Sequence, residues 1–380
     1  MLNDRRNSHS TFNIEHSTLN IQHLLTPAFL VDKLVVKRNC DRMREKAHSS
    51  GVIFRPHVKT HKTAEIARLQ HGGAIGPITV STLAEGEFFA GRGWRDITYA
   101  VPIAPEKLER AAALASGIDR LNILIDSHEA LRAIEQSGKT FDVFLKIDCG
   151  YHRAGVDPDD PDSEHLARAI AQSDSVRFQG LLTHAGHSYH ARNADDIRHI
   201  AGEECAALSR FRALIGIDEI VRSIGSTPTA SVVDEFTNCD EVRPGNYVFY
   251  DAFQSTIGSC AIDDVAVSVL TTVVGVYPER RSSIVDAGAL ALSKDTGPDH
   301  VESDFGYGIV CDEELRALPL KLTAISQEHG KIEGNVSHIA VGTRLRIIPN
   351  HSCLTAAMFD AYHVVENGRV VDEWRPVRGW

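Results

Sequence analysis

A regular alternation constrains this chain more than any other feature. From Pro27 onward, short β-branched or apolar runs take turns with amphipathic, helix-like stretches. The runs are Ala28–Val31, Val52–Phe54, Ile78–Ser81, Ile97–Val101, Leu121–Ile125, Val143–Ile147, Phe178–Thr183 and Ile220–Ile224. Between them lie stretches such as Leu34–His48, Thr63–His71, Pro105–Ala115, Glu164–Ala171 and Asp195–Ile215. Strand-helix units at this spacing predict an α/β protein with a parallel (β/α)8 barrel of TIM type over residues 26–254. A doubly wound open sheet is the main alternative.

After Asp251 the rhythm changes. Ala266–Val276, Ser283–Asp286, Leu318–Ser326, Arg344–Ile348 and His363–Glu366 read as strands without long helices between them. Glu366-Asn367-Gly368-Arg369 is a hairpin signal. Residues 255–380 are therefore expected to form a second, mostly β domain. Residues 1–25 stand apart. A seven-residue unit recurs there, Ser10 to His16 and then Ser17 to His23, and two copies are too few for a solenoid. This stretch is expected to be a poorly ordered extension with little folded role.

The 380 residues carry a formal charge of −11, which argues against nucleic acid as a partner. No apolar run approaches the ~20 residues of a membrane span. Seven scattered cysteines without a CxxC pair read as free thiols in a reducing cytoplasm, with one open to recruitment by a metal.

Strand ends of a barrel carry its chemistry. Lys59, in Arg55-Pro56-His57-Val58-Lys59-Thr60-His61-Lys62, follows an apolar run and has cationic neighbours. Those neighbours and desolvation should lower its pKa, and a neutral amine can attack the aldehyde of pyridoxal phosphate. A solvated basic turn explains the same stretch. After Val143–Ile147, the loop from Asp148 to Gly155 holds Arg153, which could reach an anion or a phenolate oxygen. After Phe178–Thr183 come His184, His187, Tyr189 and His190. His184 could lie flat against a cofactor ring, and Tyr189 could bond a ring nitrogen. Gly225-Ser226-Thr227-Pro228-Thr229 and Arg243-Pro244-Gly245-Asn246-Tyr247 expose backbone N–H groups suited to a phosphate. In Pro349-Asn350-His351-Ser352-Cys353, continued extension would put His351 and Cys353 on one side. An imidazole–thiolate pair suits Zn²⁺ best and leaves an open coordination shell.

Taken together, these motifs and Asp304-Phe305-Gly306-Tyr307-Gly308 resemble the eukaryotic-type D-serine dehydratase family. These are pyridoxal-phosphate enzymes with an alanine-racemase-like barrel, and the resemblance runs from about Thr26 to Trp380. The family includes D-threo-3-hydroxyaspartate dehydratase and D-threonine aldolases. The resemblance implies that Lys59 holds the cofactor as a Schiff base and serves as the Cα base. It implies that Tyr189 faces the pyridine nitrogen, that Thr227, Gly245 and Asn246 hold the phosphate, and that Arg153 lies near O3′ and the substrate carboxylate. It places Zn²⁺ on His351 and Cys353, and it implies a homodimer acting on a small D-amino acid.

The reaction so implied is β-elimination of water to a 2-oxo acid and ammonia. An aldolase would use the same cofactor and metal, but such enzymes often carry a carboxylate where this chain has Cys353. Racemization is disfavoured, because Ser283–Asp295 lacks the tyrosine that would serve as second base. A non-catalytic cofactor-binding barrel would not need the second domain.

Overall fold

The computed structural model describes residues 19–301 and 305–380. Asp304 of the Asp304-Phe305-Gly306-Tyr307-Gly308 motif, and residues 1–18 of the expected extension, lie outside the described residues. Eight parallel strands form the first lobe: Ile53–Phe54, Ile78–Val80, Asp96–Pro102, Arg120–Ile125, Phe141–Lys146, Val176–Leu182, Val221–Ile224 and Glu241–Val242. Each pairs with its neighbour, the eighth pairs with the first, and a parallel bridge between His57 and Thr79 closes the ring. The apolar content of the runs explains their position. Every residue of Ile78–Val80 and of Phe141–Lys146 is buried, as expected of strands covered on both faces.

Two assignments differ from the sequence reading. The run at Ala28–Val31 is a strand, Ala28–Asp32, but it is not part of the barrel. It lies in the other sheet, antiparallel to Val267–Tyr277 and parallel to Tyr362–Glu366. The strand that completes the barrel is Glu241–Val242, which has no apolar run to announce it. Its register is held by polar pairing. Glu241 is buried, accepts from Arg55 Nε at 2.6 Å, and accepts from Ser223 Oγ at 2.6 Å.

The second lobe is antiparallel. Val267–Tyr277, Ser282–Val285, Gly330–Gly334, Ala317–Ile325, Gly308–Cys311 and Arg344–Pro349 follow one another, and the last pairs back onto the first to close a six-stranded barrel. The hairpin Tyr362–Glu366 and Arg369–Trp374 turns through Asn367 and Gly368, both at positive φ, as a tight two-residue loop requires. Leu19–Asn20 pairs with this hairpin at Arg369–Val370, and Ile21 is buried. The end of the expected extension is thus built into the sheet.

Aromatic rings fill the junction of the lobes. Phe29 meets Phe249, Phe359 and Tyr362 at centroid separations of 6.0, 5.5 and 5.0 Å. The closing segment then returns to the first lobe. Val377 N donates to Lys62 O at 2.9 Å, and Arg110 donates to the Trp380 carbonyl at 2.6 Å. Among the described residues, no helix is long and apolar enough to cross a membrane.

Candidate active site

Lys59 sits in a 3-10 turn, Val58–Thr60, just past the first barrel strand. His57 Nδ1 accepts from Lys59 N at 3.4 Å, which starts the turn, and Lys62 at φ +54 ends it. Lys59 retains accessible surface, so it lines an opening rather than filling the core. Its pKa is lowered, by desolvation first and then by Arg153 and Arg243, against the opposing pull of Cys353 and Glu85. The direction and the leading cause, desolvation, agree with the sequence reading, and the identity of the cations does not. The cations adjacent in sequence are engaged elsewhere. Arg55 is paired with Glu241 and Asp96, and Lys62 is 2.9 Å from Glu85. Burial pushes His61 down to about 3, so it carries no charge at neutral pH.

The Arg153 loop is shaped by Asp148. Its Oδ1 accepts the backbone N–H groups of Gly150, Tyr151 and His152 at 2.9 to 3.0 Å. Gly155, at φ +112, passes so close to the Ile147–Asp148 backbone that a Cβ would lie 2.7 Å from it. The Arg153 guanidinium lies 5.1 Å from the Tyr151 ring, and Tyr151 stands edge-on to His184 at 6.0 Å. Gly186 leaves the space for Tyr151, since a Cβ there would fall 2.2 Å from the ring.

His184 Nδ1 donates to Gly225 O at 2.7 Å, which leaves Nε2 unprotonated and fixes the ring. Its pKa is held well below the usual histidine value by burial, then by Lys59 and Lys146. The two strand ends that bear His184 and Gly225 share one buried carboxylate. Glu204 accepts from Thr183 Oγ1 at 2.7 Å, Ala185 N at 3.1 Å and Gly225 N at 3.2 Å. Tyr189 lies in the turn Gly186–His190, and burial raises its phenol pKa.

Thr227 Oγ1 accepts from Tyr247 N at 3.2 Å, so the loops after the seventh and eighth strands are joined. Gly245 packs on the Lys59 segment, where a Cβ would lie 2.9 Å from His57 O. Asn246 Nδ2 reaches Asp251 Oδ2 at 2.9 Å, Ser352 Oγ at 2.8 Å and Cys353 Sγ at 3.5 Å, while its Oδ1 is buried without a partner among the described residues.

His351 and Cys353 do come together, though not by continued extension. His351 is the extended N-cap of a short helix, Ser352–Ala357, and Cys353 lies in its first turn. The two side chains are near enough to shift each other's titration. Burial alone would lower the His351 pKa, but Asp295 and Cys353 outweigh it and carry it to about 11. Burial alone would raise the Cys353 thiol, but His351, Lys59 and Thr60 bring it below its ordinary value. Asp295 Oδ2 is 2.9 Å from His351 Nδ1, the carboxylate–histidine arrangement that orients a metal-ligating imidazole. Among the described residues, no three metal-binding side chains converge on one point. An imidazole beside a thiol is a donor set that fits a thiophilic divalent ion. An amine drawn toward its neutral form likewise fits an aldehyde cofactor.

Thr60 Oγ1 and Cys353 Sγ are 3.2 Å apart, which brings the lysine turn and the helix Ser352–Ala357 into contact. Two cavities, of about 460 and 880 Å³, flank the helix Ala194–Ile215 instead, and neither is lined by Lys59, His351 or Cys353. Sequence reasoning missed Thr60, Glu204, Asp251 and Asp295. Each acts through a partner distant in the chain, and none stands in a telling local pattern. Lys146 was also missed. It is buried at the end of an apolar strand, and burial pulls its pKa down to about 7. A lysine ending such a run was a readable signal.

Comparison with known proteins agrees in both lobes. Residues 31–252 match the alanine racemase N-terminal domain, and residues 266–365 match the putative serine dehydratase domain. A D-serine dehydratase of Dictyostelium discoideum is 40% identical over 94% of this chain and 98% of its own length. A D-threo-3-hydroxyaspartate dehydratase of Delftia sp. (strain HT23) is 38% identical over 93% of this chain and 98% of its own. The solved structure of the Delftia enzyme superposes with a TM-score of 0.89, covering 95% of this chain and all of that one. A cysteine-to-alanine variant of D-threo-3-hydroxyaspartate dehydratase, in a metal-free form, superposes equally well, at 0.89. A D-threonine aldolase of Arthrobacter sp. is more distant, at 27% identity over 92% of this chain and 91% of its own.

Proposed function

This chain belongs to the alanine racemase N-terminal domain family, in the group that adds a serine dehydratase domain, and from that membership we propose that it dehydrates D-3-hydroxy amino acids to 2-oxo acids and ammonia. It is a pyridoxal-phosphate-dependent lyase. The observation that carries the reading is the 3.2 Å contact between Thr60 and Cys353, which joins the lysine turn to the metal helix. One site thus offers an amine for an aldehyde cofactor and an imidazole–thiol pair for a metal.

When bound, pyridoxal phosphate supplies an electron sink for the bonding pair released at Cα, and a divalent metal supplies a Lewis acid for the departing oxygen. Lys59 would hold the cofactor, Thr227, Gly245 and Asn246 its phosphate, and Tyr189 its ring nitrogen, with His184 against the ring. His351 and Cys353 would hold the metal, and their softness favours Zn²⁺. The remaining work falls to the chain itself. Lys59, with its pKa lowered, accepts the Cα proton. Arg153 binds the substrate carboxylate, and its stacking on Tyr151 limits where the guanidinium can go. Asp295 holds the His351 ring in the orientation a metal needs. Loss of the β-hydroxyl as water and hydrolysis of the resulting enamine give the 2-oxo acid and ammonia.

The purified enzyme, loaded with cofactor and Zn²⁺, should release pyruvate and ammonia from D-serine, or oxaloacetate and ammonia from D-threo-3-hydroxyaspartate. A chelator should abolish this, and Lys59→Ala should lower turnover by about 10²–10⁴-fold or more. Glycine and an aldehyde as the products would move the chain to the aldolase reading. Elimination that ignores the chelator would remove the metal from the mechanism.

A further inference from the structure

Asp251 is used by no step above, yet it is bonded to both halves of the site. It is only 2% exposed, and it caps the helix Ala252–Thr256, where Oδ1 accepts from Gln254 N at 2.9 Å. Its other oxygen serves two separate parts of the chain. Oδ2 accepts from Asn246 Nδ2 at 2.9 Å, in the loop after the eighth barrel strand. It also accepts from Ser352 N at 3.0 Å and Ser352 Oγ at 3.2 Å, in the residue between His351 and Cys353. Asn246 closes the triangle at 2.8 Å to Ser352 Oγ and continues to Cys353 Sγ at 3.5 Å.

Asn246, Asp251 and Ser352 are all buried, so no water can take over a bond that one of them gives up. A shift of Asn246 on one side is felt by Ser352 on the other, because both donate to the same oxygen. Buried polar networks of this kind hold a fixed geometry, so a displacement at one member is passed to the next.

We propose that Asp251 is a positioning residue that couples the phosphate end of the cofactor to the metal, so that each strengthens the binding of the other. The proposal rests on the reading of Asn246 as a phosphate-loop residue and of His351 and Cys353 as metal ligands. Linkage makes the effect reciprocal. If the metal tightens the cofactor by some factor, the cofactor tightens the metal by the same factor.

The test uses the holoenzyme and does not depend on turnover. Cofactor affinity is read from the visible absorbance of the lysine-bound form, with saturating Zn²⁺ and again after a chelator has stripped the metal. The wild type should lose cofactor affinity on the order of tenfold when the metal is removed, within the usual range of coupling between sites. Asp251→Asn keeps the helix cap, since asparagine caps as well as aspartate, but it sets an amide donor against the donors of Asn246 and Ser352. In that variant the ratio should fall toward one while the coloured protein persists. If Asp251→Asn does not fold, Ser352→Ala removes the hydroxyl ties alone and should reduce the ratio. A ratio of one in coloured wild-type protein, or an undiminished ratio in a folded variant, would overturn the coupling and leave the dehydratase reading intact. Wild-type protein that binds no cofactor would overturn both.

Discussion

At the scale of single residues, the proposed metal ligands His351 and Cys353 would have to give up a proton to a metal. Asp295 and the thiol hold the His351 imidazolium up to about 11 against the effect of burial, so metal-free protein is protonated there at neutral pH. Metal binding needs the neutral imidazole and the thiolate. The proton is therefore a competitor, and affinity must rise with pH, by about tenfold per unit for each proton displaced. Calorimetric Zn²⁺ titration in two buffers of different ionisation enthalpy should find at least one proton released per metal at pH 7. Zero release would contradict the assigned ligands. Lys59, His351 and Cys353 stood out in the sequence as candidates because their residue types cluster where strands end. What tunes them was not. The cations that act on Lys59 are Arg153 and Arg243, close in space and far along the chain, while Arg55 and Lys62 next door are neutralised by Glu241 and Glu85.

At the scale of elements, the helix Ser352–Ala357 is too short to stand alone. Its first N–H group, that of Ser352, is anchored by Asp251, and its far end is held by the closing segment. Arg378 donates to Ala356 O at 3.0 Å and also to Phe359 O, and Tyr362 OH donates to Ala356 O at 3.2 Å. A guanidinium on the last carbonyls of a helix satisfies acceptors that the helix cannot. Arg378→Ala should cost about 1–2 kcal/mol, read as a lower melting temperature. It should also weaken Zn²⁺ retention against a chelator more than it weakens cofactor absorbance. Arg378→Lys should recover only part of the loss, because the flexible, strongly hydrated ammonium is less pre-organised than the guanidinium, whose Nη2 serves both carbonyls. Equal melting temperatures in all three proteins would refute this. Periodicity marked most of the barrel strands, because a strand covered on both faces must be apolar. It failed at Glu241–Val242, where charge pairing replaces hydrophobic burial, and it could not say which sheet Ala28–Asp32 would join. Alternation identifies a strand, and only its neighbours in space identify its sheet.

At the scale of the whole molecule, the lobes are not successive in sequence. The described chain contributes Leu19–Asn20 and Ala28–Asp32 to the β lobe, builds the barrel, and returns. Cutting at residue 254 would leave the C-terminal piece without a strand between Val267–Tyr277 and Tyr362–Glu366, and the N-terminal piece with an apolar strand unpaired. Residues 26–254 and 255–380 expressed separately should be insoluble or poorly folded by circular dichroism, and co-expression should restore soluble, coloured protein. Two independently stable fragments would argue that the inserted strand contributes little.

The same threading has a consequence during synthesis. Val31 pairs with Val267, so more than two hundred residues must leave the ribosome before Ala-Phe-Leu-Val finds its antiparallel neighbour. Throughout that interval an apolar strand travels without its antiparallel neighbour, the kind of unpaired edge that promotes aggregation when folding lags.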